Sequence, residues 1–277
     1  MKRILSIDWD YFIKATAFQR GILFPDGGNE NISYALQDFI WNSRYVNPEL
    51  KEIGILLPDY YAIDHIIYEF MGSYVQSMTT ARKEMLVTVS HKWIYDFIMQ
   101  RTKGNEKFEV YNVDFHHDMY DLRSGDEEVN CGNWVNCLLK YRPNMKYFWI
   151  PREDSDTEML GGKKVPCKRK KLKDIEDLTF DYVFICRSDC WTPPHLDSHF
   201  ERLWTEPNKC MPVRVEDRAM QCRRVSALSE VEEKYQNEVA LALGMKQYPN
   251  ATCANCGAII PEGSSSFFCC NCNQGKK

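Results

Sequence analysis

Six short apolar runs, separated by stretches of helical periodicity, constrain this chain most. They are RILSID at 3–8, EIGILL at 52–57, EMLVTVS at 84–90, FEVYNV at 108–113, KYFWI at 146–150 and FDYVFIC at 180–186. Each has the length and the β-branched or aromatic content of a buried strand. Between them, apolar residues recur at helical spacing. Tyr34, Leu36, Phe39 and Ile40 mark a helix at 32–43, and Ile63, Ile66, Ile67 and Phe70 one at 60–72. Trp93, Ile94, Phe97 and Ile98 mark a helix at 92–101, and a further one spans 133–141. Residues 18–31, with Pro25-Asp26-Gly27-Gly28 as breakers, read as a loop. Alternating strands and helices predict an α/β fold, three layers α/β/α around a mainly parallel sheet. In such sheets ligands bind beyond the carboxyl ends of the strands. That rule singles out the acids and histidines that follow these runs.

Composition excludes several classes. The 277 residues carry a formal charge of −4 and are 44% hydrophobic, which is ordinary globular usage and not that of a disordered chain or a DNA-coating protein. No apolar run approaches the roughly 18 residues of a membrane span. Acids interrupt the apolar start MKRILSIDWDYF, so it reads as a strand and not as a signal peptide. Basic and aromatic residues are not interleaved as single-strand nucleic-acid binding would require. Residues 152–173 form an insertion without periodicity that opens acidic and closes basic. The basic part, 163–173, reads as a solvated face, with docking of an acidic protein partner as the alternative. Residues 226–244 read as a surface helix with Ser229 and Glu232 in a capping box.

Twelve cysteines are unusual for such a chain, and five of them fall in the last 25 residues. Cys253-x2-Cys256 and Cys269-x2-Cys272 have the spacing of a four-thiolate zinc site, with Cys270 as a spare. So short a segment needs the metal to fold. This predicts a small C-terminal zinc ribbon at 250–277 beside a main domain at 1–245, the ribbon serving contacts and not catalysis. The seven scattered cysteines, in a chain that needs no disulfide scaffold, point to a reducing cytoplasmic compartment.

Three motifs carry candidate chemistry. Asp114-Phe115-His116-His117-Asp118 follows FEVYNV. In extended backbone, Asp114, His116 and Asp118 share one side and suit Mn, Fe or Zn, while His117 points away. Asp8-Trp9-Asp10 ends the first strand and places two carboxylates on one face. It fits a metal bridge. It also fits a phosphoryl-accepting Asp8 with Asp10 as acid, but Tyr11 and Phe12 stand where that phosphatase pattern wants a small residue and Thr. His91 follows EMLVTVS, one strand–helix–strand step before Asp114, which makes the two strand ends expected neighbours. The plain alternatives are a charged turn at 114–118 and a core histidine at 91.

Together these residues resemble the arginase/deacetylase superfamily of binuclear metal hydrolases. In that superfamily a His follows one strand, an Asp-x-His-x-Asp another, and a Ser-x-Asp-x-Asp supplies further carboxylates. The counterparts here are Ser90-His91, Asp114–Asp118 and Ser6-Ile7-Asp8-Trp9-Asp10, the last placed first in the chain instead of late. The early Asp-x-Asp followed by Tyr-Phe is similar to the peptide-arginase-like branch. Cys131-Gly132-Asn133-Trp134 and Arg187-Ser188-Asp189 with Thr192-Pro193 extend the likeness, which spans 1 to about 205. The resemblance implies two divalent ions, Mn foremost. Asp114 and Asp8 would bridge them, His91 and Asp118 completing one, His116 and Asp10 the other. A water acidified by both ions would attack a guanidinium or amide carbon. Asp118 would pass its proton to the leaving amine. Asp189 is a candidate anion for a cationic substrate group and Asn133 a polar contact. His117 joins Asp118, Asp189 and Asn133 among the candidate catalytic residues. The substrate would be arginine in a peptide or a small molecule, giving ornithine and urea. Val135 stands where arginases carry a proton-transferring His. The rival readings are a metal-dependent phosphoesterase and a non-catalytic zinc-ribbon binding protein.

Overall fold

The computed structural model describes residues 1–24, 34–71, 84–120, 128–159, 163–208 and 212–225. The strands are β1 (Lys2–Asp8), β2 (Ile13–Lys14), β3 (Leu57–Pro58), β4 (Glu84–Thr88), β5 (Phe108–Val113), β6 (Met145–Ile150), β7 (Glu158–Met159), β8 (Lys163–Lys164), β9 (Lys168–Arg169), β10 (Tyr182–Cys186) and β11 (Val213–Val215). Seven of them form one sheet in the order β11-β4-β10-β1-β5-β6-β9, every neighbouring pair parallel.

Side-chain alternation builds the layers. Leu5, Ile7, Tyr111, Val113, Val183 and Ile185 enter one apolar cluster with Trp9, Trp41 and Ile63. Ile4, Val110, Phe184 and Cys186, from the intervening positions, enter another with Ile94, Phe97, Trp134 and Leu138. A strand sends successive side chains to opposite faces, so the two clusters lie on the two faces of the sheet. The helices Tyr34–Val46 and Tyr60–His65 cover the first face; Trp93–Arg101 and Trp134–Tyr141 cover the second. Tyr60–His65 continues as a π-helical turn to Met71. The fold is α/β with a mostly parallel sheet. Among the described residues, no helix is long and apolar enough to cross a membrane.

Four expectations are corrected. Residues 52–57 are not a strand: Pro48–Ile55 form a 3-10 helix, and only Leu57–Pro58 are extended, pairing with β2. Asn47 caps that helix by accepting from the Glu49 N–H, and Pro48 begins it, so start signals outweigh the apolar run. The supposed loop at 18–31 begins with the helix Ala17–Leu23, whose Thr16 and Gln19 form a reciprocal capping box. β4 and β5 are not neighbours, since β10 and β1 lie between them. Segment 152–173 contributes the β7–β8 hairpin and the edge strand β9, where Lys168 and Arg169 are exposed. Charge there blunts an open edge. The expected helix at 226–244, the ribbon with Cys253, Cys256, Cys269 and Cys272, and the domain boundary before it lie outside the described residues.

Candidate metal centre

Four adjacent strands, β4, β10, β1 and β5, end at one level, with Thr88, Cys186 and Asp8 in register and Val113 beside Ile7. The segments that follow bring Asp8, Asp10, His91, Asp114, His116 and Asp118 together. His91 Nδ1 lies 3.1 Å from Asp8 Oδ2, 3.3 Å from Asp114 Oδ2 and 3.2 Å from Asp118 Oδ2. His116 Nδ1 lies 2.9 Å from Asp10 Oδ2 and 3.9 Å from Asp114 Oδ1. Asp114 therefore turns one carboxylate oxygen toward each imidazole. Two groups, Asp8–His91–Asp114 and Asp10–His116–Asp114, each gather donor atoms closely enough to hold an ion, and Asp114 belongs to both.

Sequence spacing gave a partly wrong reason for this convergence. The backbone is not extended through Asp114–Asp118: it bends at Phe115 and His116, and Asp118 adopts φ 53°. A tight turn swings its carboxylate back under His91, where Trp134 Nε1 donates to Asp118 Oδ2 at 2.7 Å. Other donors fix the rest. The His116 backbone N–H donates to Asp114 Oδ1 at 2.7 Å and Asn112 Nδ2 to Asp114 Oδ2 at 2.9 Å. Trp149 Nε1 donates to the Asp114 carbonyl. Ser6 Oγ lies 2.8 Å from His91 Nε2, which occupies that ring nitrogen and leaves Nδ1 toward the carboxylates. Phe184 stacks against the His91 ring. Ser6 and Asn112 were not assigned roles from sequence. Their signal was present, a polar side chain inside an otherwise apolar strand two residues before an acid.

The fit to divalent ions rests on charge and on an orphaned atom. Four carboxylates and two imidazoles are a donor set for Mn, Fe or Zn. Asp10 Oδ2 is fully buried yet receives no aligned hydrogen bond, although His116 Nδ1 is only 2.9 Å away. Burial, reinforced by Asp10 and Asp114, pushes the Asp8 carboxyl up to about 7. Burial, reinforced by Asp118 and Asp10, pushes Asp114 up to about 8. For His116 burial opposes the charge, but Asp10 prevails and raises it to about 9. His91 is likewise raised against its burial, by Asp118 foremost. Asp10 moves the other way: burial opposes ionisation, but His116 and then Arg20 lower it.

A pH dependence follows. Without metal, Asp114 and His116 hold protons at neutrality, and Asp8 does so in part, and a bound ion must displace them. Affinity for Mn²⁺ should rise with pH between about 6 and 9, and binding should release protons. Calorimetry in buffers of different ionisation enthalpy would read this directly. An affinity independent of pH across that window would contradict it.

A cavity of about 140 Å³ opens onto the cluster, lined by Asp8, His91, His116, Asp118, Tyr120, Cys131, Gly132 and Trp191. Three candidate catalytic residues are placed elsewhere. His117 is buried away from that lining, its Nδ1 accepting from the Met119 N–H and its ring against Tyr120 and Trp149, and burial lowers it to about 4. Asn133 is spent on its own loop: Oδ1 accepts from the Asn130 N–H and Nδ2 donates to the Glu128 carbonyl. Asp189 is 2% exposed, and its carboxylate accepts from Arg187 at 2.6 Å and Arg218 at 2.8 Å. Arginines of the chain itself neutralise it, which argues against a role as substrate anion. Ser188, unassigned from sequence, donates to Asp8 Oδ2 at 2.6 Å.

Fold and site together define a mostly parallel α/β protein whose buried Asp/His cluster can hold metal. Comparison with protein-family models, with curated proteins and with solved structures finds no significant match.

Proposed function

We propose that the chain is a binuclear-metal-dependent hydrolase of the arginase/deacetylase type, acting on a C–N bond. The observation that carries this reading is Asp114, with one oxygen toward His91 and the other toward His116. A carboxylate shared in this way suits two ions a few ångströms apart. Asp8, His91, Asp114 and Asp118 would hold one ion and Asp10, His116 and Asp114 the other; by resemblance Asp8 would be the second shared carboxylate. The ions, when bound, would supply Lewis acidity and acidify a water.

The chain's own residues do the remaining work. Tyr120 and Trp191 put aromatic walls on the cavity, and apolar walls strengthen electrostatic interactions beside them. Asp118, held by Trp134, faces the same cavity and is positioned to accept a proton and deliver it to a leaving amine. Val135 is fully buried in the core, so no proton relay runs through the position arginases use. By resemblance the substrate is a guanidinium, foremost an arginine side chain in a peptide, and water converts it to ornithine and urea. A C-terminal zinc ribbon built on Cys253, Cys256, Cys269 and Cys272 completes the proposal, and a protein partner would dock through it or through 163–173.

The test is product analysis with Mn²⁺-loaded protein. Urea released from arginyl peptides supports the proposal. Phosphate released from an aryl phosphate without urea would favour the phosphoesterase reading, and neither product would favour a binding protein.

A further inference from the structure

We infer that Ser188 is a positioning residue for this centre, orienting Asp8, and that the segment Glu216–Arg223 holds Ser188 in place. The inference rests on the metal-centre reading above. Ser188 adopts φ 54°; among the described residues, Asp118 is the other non-glycine with positive φ. Both touch the same cluster. A left-handed serine is disfavoured and persists where its surroundings over-determine it.

Those surroundings are specific. The Arg187 N–H donates to the Thr88 carbonyl at 2.9 Å and the Asp189 N–H to the Val89 carbonyl at 3.0 Å, pinning the turn to the end of β4 on both sides of Ser188. The Ser188 N–H donates to Cys186 Sγ. The guanidinium of Arg187 reaches Asp189 and the carbonyls of Arg218 and Gln221. Arg223 donates to the carbonyls of Asp189 and Thr192 at 2.6 and 2.8 Å and to Asp197. Glu216 accepts from the Val89 N–H. A segment beyond the family-like motifs thus straps down the turn that carries Ser188.

What the turn delivers is one hydroxyl. Ser188 Oγ donates to Asp8 Oδ2 at 2.6 Å, while the Asp10 N–H donates to Asp8 Oδ1 at 3.2 Å. Both oxygens of Asp8 are thereby oriented, and the bond from Ser188 is the shorter. Partners of this kind fix the direction of a metal-binding carboxylate.

The experiment is Co²⁺ titration of the full chain, read by visible absorption, beside its metal-free melting temperature. Glycine accepts a positive φ without strain, so Ser188→Gly should melt at or above the parent temperature. It should nevertheless bind Co²⁺ about 10- to 100-fold more weakly, with an altered spectrum. Ser188→Ala should show the same loss, and it carries the test if the glycine variant fails to fold. Parent affinity in a folded Ser188 variant would overturn the inference alone. A parent chain with no Co²⁺ spectrum attributable to Asp114 would overturn it together with the metal-centre reading.

Discussion

Replacing Asp114 with asparagine should abolish binding at both metal positions while raising the melting temperature of the metal-free protein. The two effects have one cause. Asp114 is 0% exposed and shares its surroundings with Asp8, Asp10 and Asp118. Burial and those neighbours raise its carboxyl from the ordinary range to about 8. A carboxyl with a raised folded-state value contributes stability at low pH, and this is lost as pH rises from its unfolded value through the folded one. Near neutrality the metal-free protein therefore bears a cost that an amide removes. Each kcal/mol regained is worth roughly 2–4 °C at this chain size. The amide cannot serve as an anionic bridge, so Mn²⁺ should no longer raise the melting temperature by binding at this centre. Calorimetric melts of parent and variant, with and without Mn²⁺, read both effects. A variant that is less stable without metal and still stabilised by it would contradict the assignment.

Arg223→Ala should be the most damaging single change outside the centre. Arg223 is 8% exposed and donates to Asp197 through Nε and Nη2, and to two carbonyls. Its removal leaves Asp197 with Arg187 Nη1 at 3.2 Å as its ion-pair partner, and Asp189 with Arg187 and Arg218. Breaking a buried pair by deleting one partner costs about 3–5 kcal/mol, or a fall of roughly 6–20 °C. The same variant should bind Co²⁺ more weakly, since it loosens the turn at Ser188. Thermal denaturation and the Co²⁺ titration test the two parts separately. A melting temperature within a degree of the parent would show the arginine network to be dispensable.

Much of this was legible in the sequence, for identifiable reasons. The strands at 3–8, 84–90, 108–113, 146–150 and 180–186 are largely buried on both faces, so they read as mainly apolar runs. The acids and His91 that end them were readable because a parallel sheet collects ligands at that rim. Residues 52–57 misled because an apolar run has no period of its own, and the Asn47-Pro48 start decided the local structure. Strand order was not readable at all. The step from β4 to β5 passes over two strands, and no local pattern states which strands fill the gap. The pairing of Asp189 with Arg187, Arg218 and Arg223 was hidden similarly, because charge in sequence does not show which charges meet. The left-handed turns at Asp118 and Ser188 carry no glycine to announce them. They are where local preference yields to the site.

The most direct measurement is elemental metal analysis of the Mn²⁺- and Zn²⁺-equilibrated full chain beside Asp114→Ala and Cys253→Ala. A two-ion centre plus a zinc ribbon predicts roughly three ions per chain. Asp114→Ala should lose the two at the centre, and Cys253→Ala the zinc alone. A parent chain holding a single ion, lost with Cys253 and indifferent to Asp114, would contradict the account.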